Sequence, residues 1–325
     1  MTTLVTVDAV HRAAAAIAGH VLRTPSVDSP GLAALLGRPV ALKLEILQMS
    51  GCFKPRGIVN KVLSLTEAER ARGLLTVTGG NHGIALALIA RRMGLQAVIV
   101  MPAAAPERSK ARVRADGAEL IEAPDVTAAF AIADEQRARG LTYLHAYDDP
   151  VIVAGHGTVG LEFAADVPDL TDVLVSIGGG ALSAGVAVAL KAANPAIRVW
   201  GVETEGADAM TRALAAGAPV PIRPTSISST LGAPVVSELT LAHARELLED
   251  VLVVPDAEAV AGTVALAEEA RCWTEPAAGC LVPAARTVIA RTGGEGRPAA
   301  RLGLVLCGGN ATVEQLAGWR RRFGV

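Results

Sequence analysis

Residues 173–183 read Val-Leu-Val-Ser-Ile-Gly-Gly-Gly-Ala-Leu-Ser. A short apolar run with no alternation is buried on both faces, which is the mark of an inner strand of a parallel sheet. Three glycines follow at its carboxyl end, and a second apolar run of helical length begins at Ala181. Without side chains, the glycine backbone can present its N–H groups to an anion at the start of a helix. The same grammar recurs twice. Residues 74–77 lead into Thr78-Gly79-Gly80-Asn81-His82-Gly83, and residues 302–306 lead into Cys307-Gly308-Gly309-Asn310.

Working outward, further strands are expected at 40–44, 96–101, 119–122, 142–144, 199–203 and 252–254. Helical runs lie between them at 81–93, 107–115, 127–139 and 151–165, and Thr6 is placed to cap a first helix through 18. Strand and helix in alternation predict an α/β fold with open, twisted, mainly parallel sheets covered by helices. The block 73–147 reads as a small domain inserted in a larger one made of 1–72 and 148–325. The glycine-rich run 293–296 before the last strand reads as an exposed turn.

Of 325 residues, 51% are hydrophobic and only 3% aromatic, so the core must be aliphatic. Thirty basic and 32 acidic residues give a net charge of -2 with no basic tract, which argues against nucleic acid as a partner. The amino terminus lacks the pattern of a signal peptide, and the apolar runs are too short to span a bilayer. Cys52, Cys272, Cys280 and Cys307 show neither metal-ligand nor disulfide spacing. A cytoplasmic protein that handles a small molecule is the expectation.

Four segments could carry chemistry. In Ser50-Gly51-Cys52-Phe53-Lys54-Pro55-Arg56-Gly57, Lys54 is either a surface lysine or an amine made nucleophilic by burial or by a nearby cation such as Arg56. In the Thr78–Gly83 segment, Asn81 is either a helix cap or a donor and acceptor for a ligand. Gly178, Gly179 and Gly180 suit a phosphate; a dinucleotide loop is the rival, but Ser183 departs from the third fingerprint glycine. Cys307 is either a core thiol or a group that meets a flat ring at a strand end.

Taken in order, these segments resemble the serine/threonine dehydratase family of pyridoxal phosphate (PLP) enzymes, which have the tryptophan-synthase-β type of fold. The resemblance runs from Leu22-Arg23-Thr24-Pro25 to Gly308-Gly309-Asn310. It is carried most specifically by Leu42-Lys43-Leu44-Glu45 leading to Gly51–Gly57, with Gly155-His156-Gly157-Thr158, Gly201-Val202-Glu203 and Glu275-Pro276-Ala277 in support. It implies that PLP lies in the cleft between the two domains as a Schiff base of Lys54. Phe53 and Asn81 would contact the ring, Gly178, Gly179, Gly180, Ala181 and Leu182 the phosphate, and Cys307 the pyridine nitrogen. Thr78, Gly80, Asn81 and His82 would hold the substrate carboxylate.

The implied reaction turns a β-hydroxy L-amino acid such as threonine or serine into a 2-oxo acid and ammonia, in a homodimer. Related lyases of hydroxyaspartate or phenylserine, and serine racemase, are the alternatives; a nucleotide-binding or non-catalytic protein is the alternative of another class. The chain departs from the family at His156, where Gln is usual, at Ala181, where a fourth glycine is common, and at 226–232, where Asp-Gly is common. Racemases are expected to carry a hydroxyl residue where Gly79 stands. Glu203, Ala207 and Asp208 fall near a cation site of some relatives, but the second carboxylate is offset by one residue, so no metal is expected. Nor is a carboxy-terminal regulatory domain expected, since the sequence stops at Val325.

Overall fold

The structure is a computed structural model that describes residues 3–293 and 301–325. Residues 294–296 of the expected turn lie outside the described residues. The chain opens with α1 (Val7–Ile17), β1 (Ser26–Asp28), α2 (Pro30–Leu36) and β2 (Val40–Lys43), then loops into α3 (Pro55–Ser64) and α4 (Glu67–Ala71). Strand and helix next alternate through β3 (Leu74–Val77), α5 (Asn81–Met93), β4 (Ala97–Pro102), α6 (Glu107–Ala115), β5 (Glu119–Ala123), α7 (Val126–Ala138) and β6 (Thr142–Tyr143). The chain continues with α8 (Pro150–Asp166), β7 (Asp172–Ser176), α9 (Ala181–Ala193), β8 (Arg198–Thr204), α10 (Ala209–Ala216), α11 (Glu238–Leu247) and β9 (Asp250–Val254). It closes with α12 (Asp256–Glu269), α13 (Pro276–Gly279), α14 (Leu281–Thr292), β10 (Leu302–Val305) and α15 (Val313–Phe323).

Two sheets result. The six-stranded sheet has the order β1-β2-β10-β7-β8-β9, and the four-stranded one has the order β5-β4-β3-β6. Every pairing is parallel except β1 with β2. β2, β7 and β10 are buried at every position, as unbroken apolar strands with both faces covered must be. The expected α/β class with parallel-rich sheets is therefore what the chain adopts. β1 was not foreseen; it is three residues long, largely polar and on an edge, so no hydrophobic period marks it. Thr6 caps α1 as expected, accepting from the Ala9 N–H. No helix among the described residues is long and apolar enough to cross a membrane.

The order of the large sheet places the site. From β7 the chain winds outward through β8 and β9, whereas β10 and β2 lie on the other side. Between β7 and β10 the winding reverses, so the loops at their carboxyl ends part and leave a crevice. Gly178 follows β7 and Cys307 follows β10, so both glycine segments open there.

Behind the sheet α8 crosses α9 with backbones nearly touching. A Cβ on Gly185 would fall 2.3 Å from the Val153 carbonyl oxygen and 2.5 Å from the Gly157 nitrogen. Both obstacles are main chain and cannot rotate away. Gly185→Ala is therefore expected to destabilise the protein by about 1–3 kcal/mol, the usual cost of overpacking. Urea unfolding of the variant beside the wild type measures this.

Candidate active site

The loop after β2 is stitched to the end of β10. The Phe53 N–H donates to the Cys307 carbonyl at 3.0 Å, and the Gly309 N–H donates to the Gly51 carbonyl at 2.9 Å. Lys54 then stands at the cap of α3, with Pro55 at the first helical position, where a missing N–H costs nothing. Its Nζ donates to the Ala146 carbonyl at 3.2 Å and lies 4.9 Å from the centre of the Phe53 ring. Burial lowers the ammonium from its usual 10.5 to about 8. Lys54 is thus not a solvated surface lysine.

Beside it the chain turns through Gly178, Gly179 and Gly180 into α9. A Cβ on Gly179 would sit 2.1 Å from Tyr147 Cγ, and Gly180 has φ +92°, a conformation that favours glycine. The first N–H groups of α9 have no intrahelical acceptor and face this turn. Tyr147 is held over it by donating its hydroxyl to the Val235 carbonyl at 2.7 Å.

Asn81 is the first residue of α5; the cap position is Gly80, which offers no side chain. The Asn81 amide instead donates to Glu275 Oε1 at 2.8 Å and accepts from Asn310 at 2.7 Å. Thr230 adds a third link, donating to the same Glu275 oxygen at 3.1 Å. Burial raises the Glu275 carboxyl despite these donors. Cys307 is buried near Ser176, and burial pushes its thiol well above the usual range, so it stays neutral. His82 and His156 are buried too, and neither ring has a hydrogen-bond partner among the described residues. Burial holds both well below the usual imidazole range. The His156 ring packs edge-on against Phe53 at 4.7 Å.

Phe53, Lys54, Asn81, Gly178, Gly179, Gly180, Ala181, Leu182 and Cys307 all line one cavity of about 490 Å³. Gly80 lines an adjoining pocket with Asn81, whereas Thr78 and His82 line neither. The Thr78 hydroxyl accepts from the Gly80 N–H at 3.1 Å, and its methyl packs on Gly83, so it shapes the loop from behind. Tyr147, Ser176, Thr230 and Glu275 also line the cavity but were not among the expected site residues. Ser176 lay in the run 173–183, Thr230 in the departing segment 226–232 and Glu275 in the Glu275-Pro276-Ala277 segment; Tyr147 carried no signal. At the other site of interest, the Glu203 carboxylate accepts from the Met210 and Thr211 N–H groups and the Thr211 hydroxyl. The start of α10 thereby occupies it.

A buried charge cluster holds the lysine loop from below. Arg56 donates twice to Glu45, both at 2.8 Å, and twice to Glu162, at 2.7 and 2.9 Å. Lys43 joins Glu162 at 2.6 Å, and Thr24 donates to Glu45. Removing one partner leaves the others charged and buried. Arg56→Ala should therefore cost about 3–5 kcal/mol of stability, read as a lower urea midpoint. It should also weaken retention of any ligand that Lys54 holds.

A near-neutral buried amine and a glycine cradle at a helix start, in one cavity, suit a phosphorylated aldehyde. The side chains that a Cβ at Gly179 or Gly180 would strike show that this cradle admits backbone contacts alone. Pyridoxal phosphate has both groups, and the residues present fit it. The pattern of one family, described as "Pyridoxal-phosphate dependent enzyme", matches residues 17–308. The L-threonine ammonia-lyase of Thermotoga maritima is 32% identical over 96% of this chain and 77% of its own. Among solved structures, maize serine racemase superposes with TM-score 0.91 at 30% identity, covering 98% of each chain. A threonine deaminase from T.th. gives 0.85 at 33% identity, over 94% of this chain and 99% of its own. The chain belongs to the pyridoxal-phosphate dependent enzymes and, within them, to the serine/threonine dehydratase family.

Proposed function

We propose that this enzyme is a threonine/serine ammonia-lyase, which converts a β-hydroxy L-amino acid into a 2-oxo acid and ammonia. The observation that carries the reading is Lys54, an amine brought near neutrality inside the glycine-lined cavity. When bound there, pyridoxal phosphate supplies the electron sink that acidifies the substrate's Cα–H. Gly178, Gly179, Gly180, Ala181 and Leu182 hold its phosphate through main-chain N–H groups. Phe53 and Asn81 fix the ring, and Asn81 is itself oriented by Glu275 and Asn310. Cys307, a neutral thiol lining the cavity, would stand beside the pyridine nitrogen and would give it no carboxylate counter-ion. Lys54 takes the α-proton as general base. Thr78, Gly80, Asn81 and His82 form the loop that receives the substrate carboxylate, with His82 uncharged and Thr78 acting through the backbone.

The two-domain division at 73–147 is supported by the four-stranded sheet, whose strands all lie between Leu74 and Tyr143. A cytoplasmic setting is supported by four free, buried cysteines. Homodimerisation rests on the family resemblance. The engagement of Glu203 by α10 supports an activity that needs no metal.

Two outcomes test the reaction. Lys54→Ala should lower turnover of L-threonine by at least about 10²–10⁴-fold, and borohydride should fix the pyridoxyl group on the Lys54 peptide. The folded lysine binds its proton only up to about pH 8, whereas the unfolded one keeps it up to 10.5. The unfolded state thus holds more protons between these values, and apoprotein stability should rise with pH across that window. Labelling of the apoprotein by an aldehyde and cyanoborohydride should accordingly reach half its maximum at Lys54 near pH 8, well before exposed lysines.

Serine racemase is the second reading, because the maize enzyme superposes so closely. Gly79, which lines the adjoining pocket, argues against it, because the resemblance implies a hydroxyl residue at this position in racemases. A Cβ there would meet nothing within 4 Å, so Gly79→Ser is sterically free. It should raise the ratio of D-serine to pyruvate formed from L-serine. Substantial D-serine from the wild type, followed by chiral chromatography, would favour the racemase.

A further inference from the structure

Between β6 and α8 the chain makes a turn, residues 145–148, that touches both anchors of the cofactor site. The Ala146 carbonyl accepts from Lys54 Nζ at 3.2 Å, and the Tyr147 ring covers the glycine cradle at Gly179. A side chain shapes this turn. His145 Nδ1 accepts from the Tyr147 N–H at 3.2 Å and from the Asp148 N–H at 2.8 Å. Neither N–H has another acceptor among the described residues. The His145 ring also packs edge-on against Tyr147, with centres 4.6 Å apart, and stands 6.0 Å from that of Tyr143.

Both partners are main-chain donors, so Nδ1 offers its lone pair and the ring proton sits on Nε2. The imidazole thus stands in for an Asn or Asp side chain, whose oxygen accepts from N–H groups two and three residues on. The chain uses that device elsewhere. Asp149 accepts from the Val151 N–H and Asp125 from the Ala128 N–H, each at 2.8 Å. An imidazole differs from these in losing its acceptor when mild acid protonates it. Lys54 faces His145 from α3 and His82 from α5; Asp148 and Asp149 face it from its own segment, and Tyr143 and Tyr147 lie against the ring. Burial outweighs the two aspartates and holds the imidazole below its usual 6.5, so the fold favours the accepting form.

We propose that His145 is a positioning residue, which folds the 145–148 turn so that Ala146 meets the lysine and Tyr147 closes the phosphate cradle. His145 itself lines neither the lysine cavity nor its neighbour, and acts only through the main chain that follows it. Without its acceptor the Tyr147 and Asp148 N–H groups must turn to water, and the turn loses the bonds that define it. The wall over Gly179 and the carbonyl beside Lys54 then loosen together, because one turn carries both. The role rests on the cavity being the cofactor site, and it holds whichever amino acid reacts.

The test follows how fast the holoenzyme releases pyridoxal phosphate, read as loss of its visible absorbance on dilution, from about pH 5 to about pH 8. The wild type is compared with His145→Ala, His145→Phe and His145→Asn. At neutral pH His145→Ala should release the cofactor about 10-fold faster, as the loss of two hydrogen bonds implies. His145→Phe keeps the ring contacts without the acceptor and should match it. His145→Asn keeps an acceptor and should stay near the wild-type rate. In mild acid release from the wild type should quicken as Nδ1 takes a proton, and release from His145→Asn should not. An unchanged rate in His145→Ala, a wild-type rate in His145→Phe, or an equally fast release from His145→Asn would each overturn the proposal. Should the Ala and Phe variants fail to fold, His145→Asn decides alone: the same response to acid as the wild type overturns the role, and a lost response supports it. Turnover of L-threonine is measured alongside. A wild type that holds the cofactor but forms no 2-oxo acid sinks the lyase reading and leaves His145 to be judged by the release rates.

Discussion

The guanidinium of Arg56, clasped between Glu45 and Glu162, is the constraint on which the site depends. All three are charged and lie largely out of water, so none can be lost without stranding the others. Glu45 follows β2, Glu162 belongs to α8 and Arg56 lies in the first turn of α3, so the clasp draws three elements together two residues from Lys54. Burial of so many ions contributes little net stability by itself. What it does is tie the start of the lysine helix to the end of β2 and to α8 at once.

The upper side of that loop is held by different means. Main-chain hydrogen bonds to the end of β10 fix Phe53, and Cys307 is placed by the same residues. The Asn81–Glu275–Asn310 links then connect the start of α5, in the region of the four-stranded sheet, to elements of the six-stranded one. Position is thus set by backbone, and proton affinity by burial. Lys54, His82 and His156 are all pushed towards their uncharged forms, so the neighbourhood of the reacting amine is kept free of competing protons.

Legibility in the sequence followed the physical range of each interaction. The inner strands were readable because burial on both faces leaves a local, unbroken apolar run, as in β7 and β10. The glycine cradle was readable because close backbone approach excludes side chains. β1 escaped notice because an edge strand of three residues needs no pattern of its own. Tyr147 was invisible for another reason: it matters only through partners distant in sequence, Gly179 and Val235; the segment of Thr230 was marked as a departure, but its link to Glu275 was hidden for the same reason. Thr78 shows the converse, a residue of the expected motif whose side chain packs behind the loop it shapes.

The late position of β10 in the chain has a consequence for biosynthesis. This strand lies between β2 and β7, two elements made long before it, and its end supplies the carbonyl that fixes Phe53. While a nascent chain lengthens past residue 176, β2 and β7 have been made but cannot meet, and each presents a bare, apolar hydrogen-bonding edge. The lysine loop has no ceiling during that interval. Cofactor capture must therefore wait until residues 302–307 have cleared the ribosome, and the enzyme becomes competent in a single late event rather than by stages.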